Sequence, residues 1–119
     1  MGPENRFIQR VHKHLSRSVY REKMHNPYRG GTPDMWYSGP GGDVWVEYKW
    51  QKVPRSGVIA PDLSPLQLKW IIGRLSEGRN VAVMVGTPKG GALCLSMALQ
   101  QPPEKTDREL ASWIESICL

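Results

Sequence analysis

At 119 residues the chain has the length of one domain, 1–119, enough for a single sheet with a few helices. Two cysteines, Cys94 and Cys118, are too few for a disulfide scaffold or a zinc site; no apolar run approaches the ~20 residues of a membrane span, and no secretion-signal core stands near the start. These exclusions predict a soluble protein with free thiols in a reducing cytoplasm, while 16 Lys plus Arg against 11 Asp plus Glu, a net +5, predict a polyanionic partner.

Residues 4 to 19 have the apolar spacing of an amphipathic helix, with Phe7, Ile8, Val11 and Leu15 inward and Arg6, Arg10, Lys13 and Arg17 outward. That outward side is a candidate phosphate-contacting surface. Glu4 falls in the first turn, where the helix dipole favours an acid. His12 and His14 point to different sides of the helix, which argues against a shared metal and leaves them solvated or facing DNA. Residues 20 to 33 hold a proline-and-glycine-rich connection, in which His25 is a candidate phosphate contact and Gly30-Gly31 permit a close backbone approach or a positive φ.

The stretch from 31 to 50 organises the rest. It reads as two strands, the first with Asp34 at its start and residues 35 to 38 as its body and the second running over residues 43 to 50, joined by the turn Gly39-Pro40-Gly41-Gly42. In the second strand Val44, Val46, Tyr48 and Trp50 share one face, and Asp43, Trp45, Glu47 and Lys49 share the other. Hairpin pairing then brings Asp34 beside Glu47, with Lys49 next to it. Two carboxylates that close repel unless a cation or a proton lies between them, and a hard divalent ion such as Mg2+ takes oxygen ligands of this kind.

The thirteen residues 51 to 63 form a long loop with the bases Lys52 and Arg55, expected to be a substrate-contacting flap. Residues 64 to 78 carry helix punctuation: Ser64 as N-cap, Pro65 at the first position, Gln67 completing a capping box, and Gly78 at the end. Residues 80 to 86 predict a strand buried on both faces, followed by a turn over 87 to 91 and a returning strand over 92 to 96. A Gln/Pro-rich connection, 97 to 105, precedes a final helix capped by Thr106 or Asp107, with Leu110, Trp113, Ile114 and Ile117 inward.

Pro33-Asp34, twelve intervening residues, then Glu47-Tyr48-Lys49 resembles the signature of the PD-(D/E)xK nuclease superfamily, and the helix with Gln67 resembles that of its VRR-NUC-like and Holliday-junction-resolvase-like members. The resemblance covers roughly residues 4 to 86. It implies an α+β fold, a small mixed sheet flanked by helices around an αβββαβ core, although only a hairpin is evident before the second helix where the family has a three-stranded meander. It also implies Mg2+, replaceable by Mn2+, on Asp34, Glu47 and the backbone carbonyl of Tyr48, with Glu4 as a further ligand. Lys49 would act as a base or a charge stabiliser, and Gln67 would support catalysis. The expected activity is DNA endonuclease cleavage to 5′-phosphate and 3′-hydroxyl ends, selective for branched DNA, by a homodimer of the stand-alone kind that bacteriophages encode.

Two other readings remain open from the residues. One is a non-catalytic nucleic-acid-binding module that uses the basic first helix with Trp36, Trp45 and Tyr37 for stacking. The other is a structural or interaction subunit that keeps such a fold without its chemistry.

Overall fold

The computed structural model describes residues 1–25, 30–96 and 103–119. Part of the expected 20–33 connection and residues 97–102 of the expected 97–105 connection lie outside these. Among the described residues nine elements follow one another: α1 (Pro3–His14), β1 (Tyr20–Lys23), β2 (Met35–Gly39), β3 (Gly42–Lys49), α2 (Pro65–Ser76), β4 (Val81–Thr87), β5 (Gly90–Cys94), β6 (Glu104–Thr106) and α3 (Asp107–Cys118). The strands make one six-stranded sheet in chain order, β1 to β6. Every neighbouring pair is antiparallel except β3 with β4, whose crossover carries α2.

Several expected boundaries move. The first helix stops at His14 with Leu15 in an extended conformation, and the chain returns as β1 where a connection was expected. β1 pairs with β2 from Tyr20↔Ser38 to Lys23↔Met35, so the three-stranded meander is present. Four residues at a sheet edge, mostly exposed, carry too short an alternation to announce a strand. The returning strand is Gly90–Cys94 rather than 92 to 96, and β6 lies partly within the expected Gln/Pro-rich connection. Both shifts follow from pairing, since Gly90 stands opposite Thr87 on β4 and opposite Thr106 on β6.

The two faces of the sheet are covered differently. α1 and α3 pack on each other and together close one face, over a core that includes Phe7, Val11, Tyr37, Val46, Tyr48 and Ile114. α2 crosses the other face over β4, burying its Ile71 in a cluster with Val83 and Val85, with Trp45 and Trp70 packed at the margin. The alternation read in β3 holds: Val44, Val46 and Tyr48 enter the first core, and Trp45, Glu47 and Lys49 face the α2 side. β4 is buried from Val81 to Gly86, as a central strand flanked on both faces requires. Burying each of its larger side chains contributes roughly 1.5–3 kcal/mol.

The β2–β3 turn owes its glycine content to α3. Gly41 N–H donates to the carbonyl of Cys118 at 2.8 Å, and a Cβ on Gly39 would collide with that same oxygen. The hairpin is thus held by the end of the last helix. Both cysteines are free and buried, Cys118 within this contact. Among the described residues no helix is long and apolar enough to cross a membrane.

Candidate active site

Pairing of β2 with β3 sets the two carboxylates level. Met35 stands opposite Val46, so one step further along the register Asp34 faces Glu47. The backbone N–H of Asp34 donates to Glu47 Oε1 at 3.1 Å, and the backbone N–H of Tyr48 donates to Asp34 Oδ2 at 3.0 Å. Each carboxylate is therefore oriented by the other residue's strand. Since N–H and C=O of a strand residue point to the same side, the carbonyl of Tyr48 is directed to the side on which Asp34 lies.

α2 supplies the third wall. Gln67 Nε2 donates to Glu47 Oε2 at 2.8 Å, while Gln67 Oε1 accepts from Lys49 Nζ at 3.1 Å and from the Ser64 N–H at 3.0 Å. Lys49 Nζ also lies 3.5 Å from Glu47 Oε2. The capping box expected at Ser64 and Gln67 is formed, so one amide both starts the helix and ties it to the two strand residues. This approach depends on the glycines before Asp34: Gly31 has φ +101°, and a Cβ there would strike the carbonyl oxygen of Leu66 in the first turn of α2.

Charge in the site is unbalanced toward the negative. Glu47 is only 3% exposed, and burial, then the nearby Asp34 carboxylate, push its pKa up to about 7 against the opposing pull of Lys49. The pKa of Glu4 is raised as well, by burial first and by Asp34 second, which places this first-helix acid within electrostatic reach of the pair. Among the described residues, however, no three His, Cys, Asp or Glu side chains gather closely enough to hold a metal by themselves. The strands bring together two facing carboxylates, Asp34 and the buried Glu47, with the Tyr48 carbonyl on the Asp34 side. That oxygen-only set fits a hard divalent cation, which normally keeps waters as its other ligands.

The remaining expected residues separate into two groups. Arg6, Lys13, Arg17, Lys52 and Arg55 are exposed, as is His25. Arg10 is not outward: its guanidinium meets Asp107 Oδ1 at 3.1 Å, donates to the carbonyls of Thr87 and Gly90, and lies over the Phe7 ring. It bridges α1, α3 and the β4–β5 turn. His12 is not solvated either. Its Nε2 is hydrogen-bonded to Tyr37 OH at 2.7 Å, Tyr37 OH is hydrogen-bonded to Tyr48 OH at 2.6 Å, and burial followed by Arg21 lowers its pKa to about 4. Tyr37, read as a stacking aromatic, is fully buried in this chain of hydroxyls. The loop 51–63 is anchored rather than free along its length: Ile59 is buried, and Gln51 bonds both Ala60 and Asp62. Sequence reasoning passed over Trp70, although its position three residues after Gln67 puts it on a neighbouring side of α2.

No protein-family model matches the chain, and no curated protein matches it. Among solved structures it is similar to Hjc, a Holliday junction resolvase from the archaeal hyperthermophile Archaeoglobus fulgidus, with a TM-score of 0.52 and 14% identity over 77% of this chain and 72% of that one. Identity that low speaks to architecture alone, and with the three-stranded meander, the parallel β3–β4 step and the crossover helix in place, the chain has the resolvase-like nuclease fold.

Proposed function

We propose that the protein is a metal-dependent DNA endonuclease acting on branched DNA, such as a four-way junction, and leaving 5′-phosphate and 3′-hydroxyl ends. One observation carries this reading: Asp34, Glu47, Lys49 and Gln67, from two strands and a helix, meet in a single hydrogen-bonded cluster. The similarity to Hjc, described as a Holliday junction resolvase, supports the choice of branched DNA. A homodimer follows from the same reading, since two strands of a junction need two sites, and so does a location in the cytoplasm, where the DNA of a bacterial or phage-infected cell lies.

Asp34, Glu47 and the Tyr48 carbonyl would hold Mg2+, with Mn2+ as a substitute. When bound, such an ion would supply charge to offset the phosphate and would lower the pKa of a water so that it can lose a proton and attack. Glu47 and Asp34 keep their orientation through the N–H donors already described, so little reorganisation is needed when the substrate arrives. Lys49, donating to Gln67 Oε1 beside Glu47, would stabilise the added charge on the pentacoordinate phosphorus. Gln67 keeps Lys49 and Glu47 at fixed separation. The attacking water loses a proton to solvent, and the departing 3′ oxygen takes one up.

The test is cleavage of plasmid and of labelled four-way-junction DNA in Mg2+, Mn2+ or EDTA. Asp34→Asn and Glu47→Gln are expected to lose at least about 100-fold in cleavage rate while still binding DNA in EDTA. Heat denaturation gives a readout independent of turnover. Mg2+ at ten times its Kd should stabilise the wild-type protein by about 1.4 kcal/mol and leave Asp34→Asn unchanged. Cleavage by Asp34→Asn at the wild-type rate would remove that carboxylate from the mechanism.

A further inference from the structure

Two residues from each site carboxylate stands an indole. Side chains alternate along a strand, so Trp36 shares the face of Asp34, and Trp45 shares that of Glu47. The two tryptophans are opposite one another in the β2–β3 register, with ring centroids 5.9 Å apart. Tyr20 of β1 meets Trp36 edge-on at 5.8 Å, and Trp70 of α2 meets Trp45 at 5.2 Å. Four rings thus form a continuous strip from the outer strand to the helix. It begins about 6.8 Å from the carboxylates, the length of two strand residues.

Among the described residues no helix covers Tyr20 or Trp36. α1 and α3 lie on the other face and α2 packs over β4, which leaves Tyr20 55% exposed and Trp36 and Trp45 partly exposed. Two of the rings are tied to acids, Trp36 Nε1 donating to Asp43 Oδ2 at 2.8 Å and Tyr20 OH donating to Glu22 Oε1 at 3.1 Å, while the Arg74 guanidinium lies over Trp70, 5.5 Å from its centroid. Carboxylates repel a phosphate backbone but accept hydrogen bonds from base amino groups. Exposed rings suit the bases of an unpaired strand, whose π-faces are free, rather than a duplex, whose bases are already stacked, and the acids at Trp36 and Tyr20 can accept from base amino groups.

We infer that the Tyr20–Trp36–Trp45 strip is a stacking subsite for unpaired nucleobases, joined to the site and reading the strand about two nucleotides from the phosphate at Asp34 and Glu47. At 3.4 Å per stacked nucleotide, two steps cover the distance between the carboxylates and the rings. The placement relative to the cut rests on the nuclease reading; the affinity for unpaired bases does not. The subsite makes a single-stranded arm beside the scissile bond the preferred substrate.

The decisive comparison is binding, in EDTA, of a duplex carrying a single-stranded flap and of the same duplex fully paired. Trp36→Leu keeps apolar bulk without a ring, Trp36→Phe keeps a ring, and Tyr20→Leu alters a half-exposed residue of the outer strand. The flap-to-paired affinity ratio should fall about ten-fold in Trp36→Leu, the loss of one stacked base, and return to within about three-fold of wild type in Trp36→Phe. Tyr20→Leu should lower the same ratio and guards against a folding defect at Trp36. Quenching of tryptophan fluorescence by the flap, stronger than by the paired duplex, is the matching signal. An unchanged ratio in both leucine variants would overturn the subsite, as would an equal loss on both DNAs or a change of oligomeric state in Trp36→Leu that marks the strip as a protein interface. If wild-type protein cuts neither DNA in Mg2+ yet keeps the flap preference through Trp36, the nuclease reading fails and the subsite stands.

Discussion

The two faces of the sheet do different work with the same strands. Beneath α1 and α3, β2 and β3 contribute Tyr37, Val44, Val46 and Tyr48, all fully buried, and even the polar atoms there are consumed in the His12–Tyr37–Tyr48 chain. On the α2 side the same two strands contribute Asp34, Trp36, Trp45, Glu47 and Lys49, and the cover is one helix set over β4. Dense packing of the first face keeps the strands in register. That register holds two like charges opposite each other on the second, an arrangement that by itself opposes folding.

The contrast can be broken from either side. The largest effect is expected at Phe7, fully buried against Tyr48 with ring centroids 5.4 Å apart: Phe7→Ala should lower stability in urea by about 3–5 kcal/mol, whereas Trp36→Leu should cost less than about 1 kcal/mol. Equal losses would mean that the open face bears as much of the fold as the closed one. Acid comes next. His12 takes a proton in the unfolded chain at its ordinary pKa of 6.5 but in the fold only near 4, so its contribution is fully present above about 6.5 and lost as pH falls toward 4. Between pH 7 and pH 5 the wild-type protein should lose on the order of 1–2 kcal/mol relative to His12→Gln, a difference that removes the opposite gain both proteins share as Glu47, with its raised pKa, takes up a proton.

The smallest effect on stability is the most informative about the site. Ser64→Ala removes the cap of α2 and should cost about 1 kcal/mol, with Gln67 still able to reach Glu47 and Lys49. Gln67→Ala should cost a similar amount of stability but lower cleavage by roughly 10–100-fold, as loss of an outer partner of a metal ligand does. If both variants cut equally well, the amide of Gln67 serves the helix and not the chemistry.

Much of this site was legible because its parts are local. The period of two in β3 separated Tyr48 from Glu47 and Lys49, the Ser64 and Gln67 spacing announced a helix start, and Gly30-Gly31 announced a close approach, which proved to be to the first turn of α2. Arg10 and His12 were misread for one reason. Their helical positions pointed outward only on the assumption that nothing packed there, and α3 and Tyr37, from 97 and 25 residues further along the chain, turned out to be the neighbours. β1 escaped notice because a four-residue edge strand is specified by its partner β2 rather than by its own alternation.

Local chemistry alone was enough to place the capping box, the hairpin with its facing carboxylates, the twice-buried strand β4 and the inner side of α3, since each is set by residues within a few positions of one another. The tertiary structure decided what depends on distant segments: that Glu4 comes within electrostatic reach of Asp34, that Arg10 ties three elements together, and that among the described residues no helix covers Tyr20 and Trp36 beside the carboxylates. Spacing along a chain governs which face a side chain takes. What stands opposite that face depends on long-range packing.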